Sequence, residues 1–205
     1  RLVDVAKGAA LMTGTKFEID FLTGCYEVLL NEALADVMWD CLKRVGPPAF
    51  DEKDIGFAEE LAKTFDKSIL ENIRKNPDFR QIPGFENQVL NDSLVQPRGK
   101  GRSGGGSTDV GDVSWIVPTV QMSAATVPIG CPGHSWQHCA SSGSTIGHKG
   151  MLVAVKTMAL TALELIDNQE LIEKAWEEFK EKTKDSPYKC PFPQGRLFPI
   201  NRFFD

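Results

Sequence analysis

His134 stands in the run Gly130-Cys131-Pro132-Gly133-His134-Ser135-Trp136-Gln137, where a proline and two glycines bend the chain around an imidazole. Upstream, Gly104-Gly105-Gly106-Ser107-Thr108-Asp109-Val110-Gly111-Asp112 sets hydroxyls and two carboxylates in a glycine-rich loop, through which a backbone can pass close to a substrate or an ion. An imidazole projected from a bent loop, near carboxylates, is one part of a metal-dependent hydrolase site. The whole of such a site needs several His, Asp, Glu or Cys ligands. The chain has three histidines, so imidazoles alone do not complete one here.

Other arrangements compete for the same residues. His134 and His138 are four apart and share a face if residues 134–142 are helical, but the zinc-protease pattern needs Glu where Ser135 stands. Cys131, His134, His138 and Cys139 form an alternative zinc knuckle, at a spacing tighter than that of ordinary fingers. A phosphate loop is disfavoured, because Lys100 precedes the glycines rather than following them. Asp109 and Asp112 either orient a ligand histidine from behind or cap the turn and the strand that follows. His148, between Gly147 and Gly150, either stands behind the ligands or satisfies a helix-end amide.

The elements that must position these residues read as a mixture of helices and strands. Residues 2–13 carry apolar positions at helical spacing up to Gly14, and Phe17, Ile19 and Phe21 then alternate with Glu18 and Asp20 as a half-exposed strand. Asn31 caps a helix whose stripe of Leu34, Val37, Met38, Cys41, Leu42 and Val45 ends at Gly46-Pro47-Pro48. Asp51 caps the next, with Ile55, Ala58, Leu61, Ala62 and Phe65 facing inward, and Ser68 to Lys75 form a short helix. Residues 76–106 read as one long loop. Val113 to Val120 and Ala124 to Ile129 read as buried strands, the second leading into the His134 loop. Met151 to Ile166 is a helix apolar nearly all round, expected to pack on a sheet. Leu171 to Lys184 is an amphipathic helix, and Pro187 to Asp205 a tail draped over the body.

Composition excludes several classes. Net charge −5 and pI near 5.3 argue against nucleic acid, since Arg98, Lys100 and Arg102 form the one tight basic cluster. No window has the roughly 20 apolar residues of a membrane span. The five scattered cysteines fit reduced thiols in a cytoplasmic protein. The opening Arg1-Leu2-Val3-Asp4, without an initiator Met or a signal segment, reads as part of a longer chain.

Three motifs in order, Gly105 to Trp115, His134-Ser135-Trp136-Gln137 and Gly147-His148-Lys149-Gly150-Met151, resemble the C-terminal half of the dinuclear metallopeptidases that include glutamate carboxypeptidase, aminoacylase and the amino-acid amide hydrolases. The resemblance implies an α/β fold. Residues 1–30 correspond to the last helix and strand of a ferredoxin-like lid that makes the dimer, and residues 31–205 to the C-terminal part of a catalytic domain with a mixed sheet flanked by helices. It implies that His134 is the last metal ligand, that Ser107, Thr108 and Asp109 border the substrate, and that two divalent ions, zinc or manganese, serve the reaction. The expected reaction is hydrolysis of an amide between an aryl acyl group and an amino acid, with aminobenzoyl-glutamate as substrate, in a homodimer or a hetero-subunit enzyme.

The sequence departs from that family where its other ligands belong. No Cys-Gly-His or Glu-Glu ligand motif is present, and Glu59-Glu60 and Glu177-Glu178 fall on helical faces expected to be exposed. These residues on their own are therefore expected to bind metal poorly, to carry no catalytic residue and to be inactive. The competing expectation is a non-catalytic binding or assembly module that keeps the fold and lacks the site.

Overall fold

The computed structural model describes residues 1–75, 82, 84–95 and 108–192. Among them are eight α-helices: α1 (Leu2–Thr13), α2 (Glu32–Val45), α3 (Glu52–Ala62), α4 (Lys67–Lys75), α5 (Val110–Ser114), α6 (Trp136–Ser142), α7 (Thr145–Asp167) and α8 (Gln169–Thr183). A single 3-10 turn lies at Phe85–Asn87.

The helix ends follow their capping residues. Gly14 closes α1 in the left-handed conformation at φ 65°. Asn31 accepts from the Leu34 amide at 3.0 Å to start α2. Asp51 and Asp54 form a reciprocal capping box at the head of α3, each carboxylate accepting from the other's backbone amide. The last helix falls close to its expected bounds, and α7 ends where expected but starts at Thr145, ahead of the expected Met151.

α2 and α7 pack together, with α8 against both and α6 against α7. The apolar stripe of α2 buries Leu34, Met38 and Cys41. Ala58, Leu90 and Ile146 form a core to which Phe50 and Val89 add their side chains. Of the inward positions expected on α3, Ala58, Leu61 and Phe65 are buried, whereas Ile55 stays exposed. Two close approaches account for glycines of the third motif. A Cβ on Gly147 would lie 2.1 Å from the Ser142 carbonyl oxygen, and one on Gly150 would lie 2.3 Å from that of Ala125.

The α/β expectation is overturned: among the described residues there is no strand and no sheet. Phe17, Ile19 and Phe21 lie in non-helical chain and remain well exposed. Val113 and Ser114 end a helix, and residues 124–129 run as irregular chain. A strand's amides and carbonyls must find partners along another segment, and among the described residues these stretches form no such ladder. Side chains hold the chain instead. Ser114 Oγ accepts from the Leu29 amide at 2.8 Å, and Trp115 Nε1 donates to the Glu27 carbonyl at 2.9 Å. α7 accordingly rests on helices rather than on a sheet, with Met151, Val155, Met158 and Ile166 exposed along its other side.

Most of the long loop expected at residues 76–106, with its basic cluster, lies outside the described residues, as does the tail beyond Phe192.

Candidate functional site

Two left-handed residues shape the His134 loop. Gly130 has φ 88°, and His134 itself has φ 53°, the one non-glycine residue with positive φ among those described. Such a conformation is uncommon outside glycine and points to a position whose geometry matters. The Cys131 amide donates to the Pro128 carbonyl at 3.0 Å, Ser135 Oγ donates to the Pro132 carbonyl at 2.7 Å, and the same Oγ accepts from the His138 amide at 3.2 Å. Ser135 thus both closes the loop and caps α6. The loop holds His134 out on the surface, exposed.

Because α6 begins at Trp136, His134 is not on a helix, and the shared face with His138 does not form. The described residues contain no group of three or more His, Cys, Asp or Glu placed to hold a metal, and this removes the support for a zinc knuckle at Cys131, His134, His138 and Cys139. Burial pushes the Cys131 thiol up from its ordinary value.

Ser107 lies outside the described residues. Thr108 and Asp109 are exposed just before α5, where Thr108 Oγ1 accepts from the Val110 amide at 3.3 Å. Asp112 is committed to structure: its carboxylate accepts from the Tyr188 hydroxyl at 3.0 Å and from the Tyr26 amide at 3.4 Å. The rings of Tyr26 and Tyr188 lie 5.1 Å apart, as do those of Tyr26 and Trp115. Burial, followed by the Asp112 carboxylate and Cys190, pushes the Tyr188 hydroxyl up to about 12. His148 is exposed in the first turns of α7, its amide donating to the Ser144 carbonyl at 3.1 Å. No hydrogen bond or ion pair among the described residues joins Thr108, Asp109, Asp112, His134 and His148 to one another.

Sequence reasoning missed two polar junctions. Beside His148, Lys149 reaches back to α3, pairing with Asp54 and, at 2.9 Å, with Asp51. Asp54 is 1% exposed and also accepts from Thr145. Burial drives its carboxyl up, but Lys149, Thr145 and the Asp51 amide outweigh burial and hold it at about 2. Glu178, expected on an exposed face, is half-buried and accepts from the Glu32 and Ala33 amides at 2.7 and 2.9 Å, so that α8 caps α2. The signal for both junctions is spatial, joining residues far apart in the chain.

A groove of about 820 Å³ opens beside the His134 loop, and Gly130 and Cys131 line it. Trp39, Met38 and Phe85 give it an apolar wall, and residues 119–129 run along it.

No family profile and no solved structure matches the chain. No helix among the described residues is long and apolar enough to cross a membrane. Over 95% of its length the chain is 32% identical to a p-aminobenzoyl-glutamate hydrolase subunit of Escherichia coli (strain K12). It spans 42% of that protein, somewhat under half, and is therefore a distant relative of part of a hydrolase subunit.

Proposed function

We infer that this chain is part of an amidohydrolase that cleaves aminobenzoyl-glutamate, or a close aryl-acyl amino acid, into the aryl acid and the amino acid. The similarity to the p-aminobenzoyl-glutamate hydrolase of E. coli along nearly the whole chain carries this reading. The exposed His134, held left-handed in a hydrogen-bonded loop, agrees with it.

Two divalent ions do not fit the described residues by themselves, since no three ligands converge. No catalytic step is assigned to these residues. In this reading His134 supplies one ligand of a site whose other ligands lie elsewhere, and Ser107, Thr108 and Asp109 border the substrate. Asp112 and His148 stand further back. Residues 1–30 belong to a lid and dimer domain and residues 31–205 to the catalytic domain, in a homodimer or, as the lesser alternative, a hetero-subunit enzyme.

The test is release of p-aminobenzoate by the full-length native protein supplied with zinc or manganese, alone and with His134→Ala. The substitution is expected to lower kcat/KM at least 100-fold and to reduce bound metal, with little effect on the unfolding midpoint because the ring is exposed. Undiminished activity in the variant removes His134 from the site. A folded wild-type protein that hydrolyses none of these amides supports a non-catalytic assembly module instead.

A further inference from the structure

Two of the five cysteines come together where the chain entering α2 meets the chain leaving α8. Neither segment is helical: residues 24–30 precede the Asn31 cap, and residues 187–191 follow the turn after Thr183. They run past each other in opposite directions. A Cβ on Gly24 would lie 3.0 Å from the Pro191 Cβ, so the missing side chain lets the two backbones close up there. Two residues on, the Tyr26 hydroxyl accepts from the Lys189 amide at 3.2 Å, and the Tyr26 ring lies 5.1 Å from that of Tyr188. Cys25 lies between these contacts on one segment, and Cys190 between them on the other.

A third tie fixes the alignment. The Asp112 carboxylate accepts from the amide of Tyr26, the residue after Cys25, at 3.4 Å, and from the Tyr188 hydroxyl at 3.0 Å. That hydroxyl is in turn within hydrogen-bonding reach of the Cys190 side chain. Both cysteines are free and exposed, whereas Cys41 is buried and Cys131 and Cys139 belong to the His134 loop and α6. A disulfide asks for Cβ atoms about 3.5 to 4.5 Å apart, and the Gly24 and Pro191 contact one residue away brings the segments to that range. We propose that Cys25 and Cys190 are a redox pair, which a small-molecule disulfide such as oxidised glutathione closes into a bond tying the chain before α2 to the chain after α8.

One cysteine thiolate attacks a sulfur of oxidised glutathione, forming a mixed disulfide and expelling a glutathione thiolate. The second cysteine thiolate attacks the cysteine sulfur of that mixed disulfide, forming the protein S–S bond and expelling a second glutathione thiolate. Each cysteine gives up its thiol proton; together the two sulfurs lose two electrons, and one glutathione disulfide is reduced to two thiols. The bond encloses nearly the whole helical body in one loop and so restrains the unfolded chain. Reduction returns the junction to Asp112 and the tyrosine rings.

The native full-length protein, equilibrated with mixtures of reduced and oxidised glutathione, quenched in acid and alkylated, tests the pair by peptide mapping without reduction. A bridged peptide joining Cys25 to Cys190 is expected, with both thiols lost to alkylation together. Half conversion should occur in a mixture about 100-fold more reducing in native buffer than in denaturing urea, because the fold and not random closure of a long loop presents the pair. In Cys25→Ser, an exposed position, Cys190 should form no protein disulfide. Independent alkylation of the two cysteines, glutathione adducts that do not resolve, a bridge from either residue to another cysteine, or equal ease of closure in urea each overturns the proposal. None of these readouts depends on amide hydrolysis, so the pair is tested apart from the proposed substrate.

Discussion

The helical body and the extended chain that crosses it satisfy their backbones in opposite ways. In α2, α3, α7 and α8 each interior amide bonds four residues back, and the ends are closed by side chains such as Asn31, Asp51 and Glu178. The non-helical stretches at 15–30 and 118–129 are anchored at isolated points, by Ser114, Trp115, Ser141 and the Val89 carbonyl. A helix is complete within its own segment; a strand is complete only with another segment beside it. One stretch of sequence can therefore specify the first fully and the second only by half.

The sharpest way to break that contrast is at Gly150, where the two regions touch. A valine there places its Cβ against the Ala125 carbonyl oxygen, 2.3 Å away, and backbone rather than a yielding side chain must move. Gly150→Val is expected to cost about 3 kcal/mol in urea unfolding, as overpacking at a tight contact does. A loss below about 1 kcal/mol would mean that residues 125 and 126 lie loosely on α7 and shift aside.

Within the helical body the largest polar effect belongs to Asp54. Asp54→Ala removes one half of the capping box and leaves Lys149 with Asp51 alone, at an expected cost of about 2 kcal/mol. The pH dependence has a definite sign. The folded carboxyl, at about 2, lies below its ordinary 3.8, so its contribution is present above pH 4 and is lost as pH falls from about 4 through 2. The stability difference between wild type and variant should shrink over that window and be flat from pH 5 to 7. A difference that stays constant down to pH 2 would assign the loss to packing and not to the ion pair.

The same contrast sets what could be read in advance. The helices and their caps were legible because the signals are local: Asn31 before one apolar stripe, Asp51 before the next, and Gly14 after the first helix. The β-branched runs at 113–120 and 124–129 were legible as apolar and misread as strands: the first opens with the end of α5 and a turn, and the second runs as irregular chain. In the His134 loop, Pro132 and Gly133 announced a bend, and the left-handed backbone of His134 is its outcome. Asp112 was legible as a polar group in a turn, but not as the acceptor for Tyr188, which stands 76 positions away. Likewise nothing local ties Lys149 to Asp54 across 95 positions, nor Glu178 to α2 across 145.

Tyr188 offers the smallest and most selective probe of the extended region. Its hydroxyl donates to Asp112, and its ring rests on Tyr26, so that residues 24–30, α5 and the start of the tail meet at one carboxylate. With its pKa raised to about 12, the protonated phenol is the form that the fold favours. Its contribution is therefore intact below the ordinary value of 10 and is lost as pH rises from about 10 through 12. Tyrosinate absorbance near 295 nm follows the ionisation of Tyr188 over this range. Tyr188→Phe should delete the step near pH 12 and lower stability at pH 7 by less than Asp54→Ala does, since it removes one hydroxyl and its hydrogen bond to Asp112 and keeps the ring. Persistence of the late step in the variant would show that Asp112 does not hold Tyr188 in solution, and that the extended chain is more weakly fastened to α5 than its side-chain contacts imply.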